Sequence, residues 1–233
     1  MKCRKCRTEN PEENKFCSRK ETMTDERKTV FIIDDDPSAR RGLSRMVRAA
    51  GMTVEEYGSA LEFLERKHYD GYGCIILDVK MPGMNGLELQ EELVKADYSM
   101  PIIFISGHGD VPMTARAMKK GAVDFLTKPV DRDHLLKVIN ESLARDRESL
   151  KAFSNKTKVR KRLVTLSPRE YEVMTFVIAG MLNKQIAYEL GIVEDTVKIH
   201  RGRMMKKMNA ASVPELVRLA DIAGIEPAEP KNP

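Results

Sequence analysis

Between Thr29 and Pro129 five short apolar runs alternate with amphipathic stretches, and four of the five end in a residue that can do chemistry. The runs are TVFIID (29–34), TVEEYG (53–58), GCIILD (73–78), MPIIFIS (100–106) and AVDFLTKP (122–129). The stretches between them are PSARRGLSRMVRAAG, SALEFLERK, GLELQEELVKA and VPMTARAMKKG, and RDHLLKVINESLARD follows the last run. In the first stretch Leu43, Met46, Val47 and Ala50 recur at helical spacing and Gly51 is the stop signal. Such alternation predicts right-handed βαβ units and a parallel sheet covered on both faces. The near-continuous apolar character of the first, third and fourth runs fits strands buried on both sides. In a sheet of that kind, ligands sit outside the carboxyl ends of the strands.

That edge collects the chemistry. The first run ends in Asp34, Asp35 and Asp36, the third in Asp78, the fourth in Ser106 and the fifth in Lys128. Neighbouring parallel strands lie about 4.8 Å apart, so acids at their ends converge. Converging carboxylates repel and call for protonation or a cation. Mg²⁺, held by one or two carboxylates plus waters, is the usual ion beside phosphate chemistry. A carboxylate nucleophile, a hydroxyl, an ammonium and a metal site together suit phosphoryl transfer, with Asp78 attacking. Asp36, directly before Pro37, also reads as a helix N-cap. His108 reads as a loop residue on the active face, and Cys74 as core packing.

The charge is uneven. Residues 29–155 carry 17 Lys+Arg against 20 Asp+Glu, and residues 156–221 carry 13 against 7. The basic third is where an anionic polymer would bind. LSPREYEVMTFVIAG opens on a capping box, Ser167 with Glu170, and Pro168 stands at the first helical position. Tyr171, Met174, Val177 and Ile178 form its expected apolar stripe. NKQIAYELG, closed by Gly191, and VEDTVKIHRGRMMKKM complete the order of a helix-turn-helix. In that last helix Val197, Arg201, Met204 and Met208 fall on one face, with Arg201 at its edge. Lys198, Ile199, Gly202, Arg203 and Lys206 fall on another, where lysines suit phosphate or guanine and an aliphatic suits a thymine methyl.

FIIDDDPSARR, CIILDVKMPGMNGLEL and PIIFISGHGDVPMTARAMKKGAVDFLTKP together resemble the receiver domain of two-component response regulators, and the last is similar to the FixJ branch. The resemblance implies a flavodoxin-like, five-stranded doubly wound parallel sheet of order 2-1-3-4-5. It implies Asp78 as phospho-acceptor. It implies Mg²⁺ on Asp35, Asp78 and the backbone carbonyl of Lys80, with Asp34 acting mainly through water. Ser106 would be the switch hydroxyl, Lys128 the partner of the phosphoryl group, with its bond to Pro129 cis, and Phe125 the aromatic switch. LSPREYEVM, GMLNKQIAYELGIVEDTVKIHRGRMMKKMNA and LVRLA resemble the LuxR/NarL-type DNA-binding domain. That match puts Lys198 and Ile199 on bases. The next such position is Gly202, which has no side chain to read with, so Arg201, Arg203 or DNA shape would take over. Lys184, Thr196, Lys206 and Lys207 would contact phosphates. The final helix, with Ser212 as cap and Leu216, Val217 and Ala220 following, would serve dimerisation or pack inward.

The expected organisation is an N-terminal appendage over 1–28, a receiver over 29–150, a linker over 151–162, an all-α DNA-binding domain over 163–225 and a disordered tail over 226–233. The implied activity is transcriptional regulation. A sensor histidine kinase phosphorylates Asp78, a homodimer forms, double-stranded DNA is bound and RNA polymerase is engaged. The only catalysis would be autocatalysed phosphoryl transfer to its own Asp78 and slow autodephosphorylation. A phosphatase of the haloacid dehalogenase type would want an acid two residues after the nucleophile, where this chain has Lys80. No stretch reaches the roughly 18 apolar residues of a membrane span, and the charged N-terminus lacks a signal peptide's apolar core, so a cytoplasmic location is expected. Cys3, Cys6 and Cys17 have the spacing C-x₂-C-x₁₀-C, which a cysteine at position 20 would turn into a zinc ribbon. That position is Lys20, which leaves three readings: Zn²⁺ held by three thiolates, Zn²⁺ shared between chains, and a degenerate module.

Overall fold

The computed structural model describes residues 28–66, 69, 71–107 and 111–229. Cys3, Cys6, Cys17 and His108 lie outside the described residues. The chain divides into two units at Lys151/Ala152.

The first unit contains β1 (Lys28–Ile33), α1 (Pro37–Ala49), β2 (Thr53–Tyr57), α2 (Ala60–Glu65), β3 (Tyr72–Asp78), α3 (Gly86–Lys95), β4 (Ile102–Ser106), α4 (Val111–Lys119) and β5 (Asp124–Thr127). The five strands form one parallel sheet in the order β2-β1-β3-β4-β5. Strand alternation sends successive residues to opposite faces. Phe31, Ile33, Leu77 and Phe104 pack with Phe63 of α2, Leu89 and Leu93 of α3 and Ala117 of α4. Val30, Ile32, Ile76 and Ile103 pack on the other face with Leu43 and Val47 of α1 and with Leu135 and Ile139 of the helix after β5. Cys74 belongs to this second layer, where burial pushes its thiol pKa well above the ordinary value. Ala50, expected on the inner face of α1, is exposed at the C-cap, and the buried polar position is Ser44, whose hydroxyl donates to Glu56 Oε1 at 2.7 Å.

α5 runs from Arg132 to Leu163, through the basic stretch where the sequence suggested a linker. Its first turns pack on the sheet, and Val159 near its end packs into the core of the second unit. The polar turns between the two cores carry little apolar periodicity, so nothing in their pattern announced a helix. The second unit adds α6 (Pro168–Ile178), α7 (Asn183–Leu190), α8 (Glu194–Met208) and α9 (Val213–Ala223). Val173, Met174, Val177, Ile186, Val197, Met204, Met208 and Leu216 form its core. Tyr171, expected on the inner stripe of α6, is exposed; that stripe runs through Glu170, Val173, Met174 and Val177, about one residue out of phase with the expectation. Gly191 closes α7 in the left-handed conformation (φ 63°), which a residue without a Cβ adopts freely and which lets α8 leave in a new direction. No helix among the described residues is long and apolar enough to cross a membrane.

Candidate functional site

The carboxyl ends of β1, β3, β4 and β5 bring the chemistry of the first unit together. Ile33 pairs with Leu77 and Ser106 with Thr127, so Asp34 and Asp78 each emerge one residue after paired positions of adjacent strands. Both carboxylates are buried, at 2% and 6% exposure. The Lys128 ammonium donates to Asp34 Oδ2 and to Asp78 Oδ1, each at 2.7 Å. One cation thus serves two anions. The second oxygen of Asp78 accepts from Lys80 N at 2.6 Å, and Asp34 Oδ1 accepts from Asp36 N at 2.9 Å. Burial pushes the Asp78 carboxyl above the usual range, the Lys128 hydrogen bond and charge pull it back, and the Asp34 charge raises it again. For Lys128 burial favours the neutral amine, but the two carboxylates outweigh it and hold the ammonium above the usual lysine value.

Local sequence explains the placement. Asp36 caps α1, accepting from Ser38 N at 2.8 Å, and so turns the chain away just after Asp34. Asn85 and Glu88 form a capping box that starts α3. Gly86, the first residue of α3, lies against the end of β3: a Cβ there would meet Asp78 O at 2.3 Å and Val79 Cα at 3.1 Å. Only glycine lets α3 begin this close to the acid. The Lys128–Pro129 peptide is cis. Ser106 is buried at the end of β4, where its carbonyl accepts from Lys128 N at 2.8 Å. The half-buried Phe125 ring stacks on Phe104 with centroids 6.1 Å apart.

Asp35 is exposed and lines a cleft of about 470 Å³ with Lys80, Asn85 and Met113. Among the described residues, no group of three or more His, Cys, Asp or Glu side chains is arranged to hold a metal ion. The expected set of three acids therefore separates: Asp34 and Asp78 share Lys128, and Asp35 faces the cleft. Two carboxylates and a backbone carbonyl are hard oxygen donors, and Asp34, Asp35 and Asp78 outnumber the single ammonium. This donor set fits Mg²⁺ with one or two carboxylates and waters. Sequence reasoning missed three contributors: Arg40, whose guanidinium donates to Asp34 O at 2.5 Å, and Met113 and Gly86. The Asn85-Gly86 pair at the head of a helical pattern was a usable signal; Arg40 and Met113 left none.

In the second unit α8 buries Val197, Met204 and Met208 and exposes Lys198, Ile199, Gly202, Arg203, Lys206 and Lys207. Arg201 is half-buried and donates to Asn183 Oδ1 at 2.8 Å, which ties α8 to the start of α7. Lys198 is already paired, with Asp195 at 3.0 Å and Glu194 at 3.6 Å. Lys207 donates to the buried Glu170 carboxylate at 2.6 Å and to Thr165 O at 2.9 Å. That hydrogen bond holds the Glu170 carboxyl below the usual range. Lys184 is exposed and Thr196 half-buried. The base contact expected of Lys198 and the phosphate contact expected of Lys207 thus compete with intramolecular partners.

A strand-end acid site on a β2-β1-β3-β4-β5 sheet, followed by a helix-turn-helix, defines a phosphorylation-type signalling domain joined to a DNA reader. Residues 30–140 match the response regulator receiver domain, and residues 164–220 match the bacterial regulatory proteins of the luxR family. Nodulation protein W of Bradyrhizobium diazoefficiens is 47% identical over 196 residues, covering 84% of this chain and 86% of that protein. The transcriptional regulatory protein FixJ of Azorhizobium caulinodans is 43% identical over 204 residues, covering 88% and 97%. The structure of response regulator StyR aligns with a TM-score of 0.77 and 45% identity over 84% of this chain and 98% of that one. The chain belongs to the NarL/FixJ family of two-component, DNA-binding response regulators, which are transcription factors rather than enzymes.

Proposed function

We propose that Asp78 is the phospho-acceptor through which a sensor histidine kinase controls DNA binding by the second unit. The observation that carries this is the Lys128 ammonium bonded to Asp34 and Asp78, both buried at strand ends. An Asp78 oxygen attacks the phosphorus; the phosphorus–nitrogen bond to the donor histidine breaks, and its electron pair leaves with the histidine. Lys128 is placed to neutralise the oxygens of the transferred group, and Lys80 N to hold the other Asp78 oxygen. Asp35, Asp78 and the Lys80 carbonyl would hold Mg²⁺, with Asp34 acting through water, and the ion would supply further positive charge to the phosphoryl oxygens. The same carboxylate with a small phosphodonor accounts for autocatalysed transfer, and water attack for slow loss of the group.

The response is a population shift: the phosphoryl group must interact more favourably with the active arrangement than with the resting one. Ser106 closes on the new group and Phe125 moves from its stack on Phe104, which favours a homodimer. Two α8 helices then meet a two-fold operator and RNA polymerase is recruited or blocked. Ile199 and Arg203 are exposed candidates for base contact, and among the described residues no carboxylate pairs with Arg203; Lys184, Thr196 and Lys206 are the candidates for phosphate. Acetyl phosphate with Mg²⁺, followed by intact mass and light scattering, tests the reading. Wild type should gain one phosphoryl group and dimerise, and Asp78→Ala should do neither; an adduct that persists in the variant refutes the assignment.

A further inference from the structure

We propose that the last turns of α5 make a second contact with duplex DNA, through Lys158 and Lys161, beside the helix that reads the bases. The proposal rests on the reading of α8 as the DNA-facing helix. Residues 149–169 contain seven Lys and Arg and no Asp or Glu. Their helical part from Ala152 onward belongs to the second unit, where Val159 is buried in the core. Lys156, Lys158, Arg160 and Lys161 are all exposed, and among the described residues no carboxylate pairs with any of them. In α8, by contrast, Lys198 and Lys207 are each taken up by acids of the same unit. Residues 152–163 carry five Lys and Arg and no acid, whereas residues 164–220, the part that matches the luxR family, carry eight against six, so most of the net positive charge of this unit lies outside that match.

Helix geometry divides these cations into two flanks of α5. At 3.6 residues per turn, Lys158, Lys161 and Arg162 fall on one side of Val159, and Lys156 and Arg160 on the other. Arg162 fixes which flank adjoins α8: its guanidinium donates to Met208 O, the last residue of α8, at 3.0 Å. Lys207 of α8 reaches back to Thr165 O just after α5. Lys158 and Lys161 thus continue the basic end of α8 marked by the exposed Lys206, and a duplex lying along α8 presents its phosphates to them. Basic residues in the last turn also suit the negative end of the helix dipole. That effect acts on folding stability, whereas phosphate contact acts on the salt dependence of binding.

Each neutralised phosphate contributes a slope of about −0.9 in log K against log salt. The experiment measures that slope for the full chain on a random-sequence duplex between about 50 and 200 mM salt. Lys158→Gln/Lys161→Gln should make the slope shallower by about 1.8 and weaken binding. Lys156→Gln/Arg160→Gln, on the opposite flank, should leave it near the wild-type value. An unchanged slope in the first variant overturns the contact, and an equal change in both overturns the flank assignment. Thermal melting checks that both variants fold. Ile199→Ala/Arg203→Ala, tested for preference between a selected and a random duplex, isolates the reading of α8. If preference is unaltered there, that reading fails whatever the slopes show.

Discussion

Replacing Lys128 by Met keeps most of the side-chain stem and removes the ammonium that two buried carboxylates share. Two charge-assisted hydrogen bonds of 2.7 Å are lost. Such bonds contribute about 1.5–3 kcal/mol each, and the Lys128 side chain is 30% exposed, so solvent screening argues for the lower end. The expected loss is about 3 kcal/mol near neutral pH, read as a shift of the urea midpoint at constant slope. The pH dependence gives the sharper test. Burial already holds the folded Asp78 pKa above its unfolded value, and removing Lys128 takes away the strongest opposing influence. A carboxyl with a raised folded pKa binds more protons folded than unfolded, so stability rises as pH falls through the folded pKa toward about 3.9. In the variant this gain should be larger than in wild type, and the 3 kcal/mol difference should shrink on acidification. A difference that stays constant from about pH 7 to pH 4 would refute the idea that unneutralised carboxylates are its source.

Gly86→Ala should cost about 1–3 kcal/mol and abolish labelling by acetyl phosphate, because the new Cβ collides with the Asp78 carbonyl. Gly42→Ala, in α1 with nothing within 4 Å of the added carbon, should instead stabilise by about 0.5–1 kcal/mol in the same melts. Phe104→Ala, at 0% exposure between Leu77 and Phe125, should cost about 3–5 kcal/mol. Lys207→Met should destabilise at neutral pH but not in acid. The pair keeps the folded Glu170 pKa low, so its contribution is present above the unfolded pKa of about 4.3 and is lost as pH falls through the folded value; urea titrations on both sides of that window check it.

The sheet and its active edge were legible because both follow from period and position. Apolar runs end in Asp34, Asp78, Ser106 and Lys128, and a parallel sheet brings strand ends together whatever the loops do. Cap chemistry was legible for the same local reason: Asp36 before Pro37, and Ser167 with Glu170, use partners a few residues away. The illegible parts depend on distant partners. Nothing near Lys207 in sequence indicates that Glu170 sits beneath it, and nothing near Met113 places it in the cleft with Asp35. α5 extended past its periodic part because one buried residue, Val159, and the bond from Arg162 to Met208 dock its last turns. The phase error at Tyr171 has a related cause: a tyrosine looks more like core than Glu170, yet the glutamate is the buried residue because Lys207 neutralises it.

The most direct measurement is the affinity of the full chain for a selected DNA duplex before and after acetyl phosphate treatment with Mg²⁺, in wild type and Asp78→Ala. We expect wild type to bind more tightly after treatment and the variant to show a single, lower affinity under both conditions. Equal enhancement in both proteins would contradict the assignment of Asp78 as the residue that couples the signal to DNA binding.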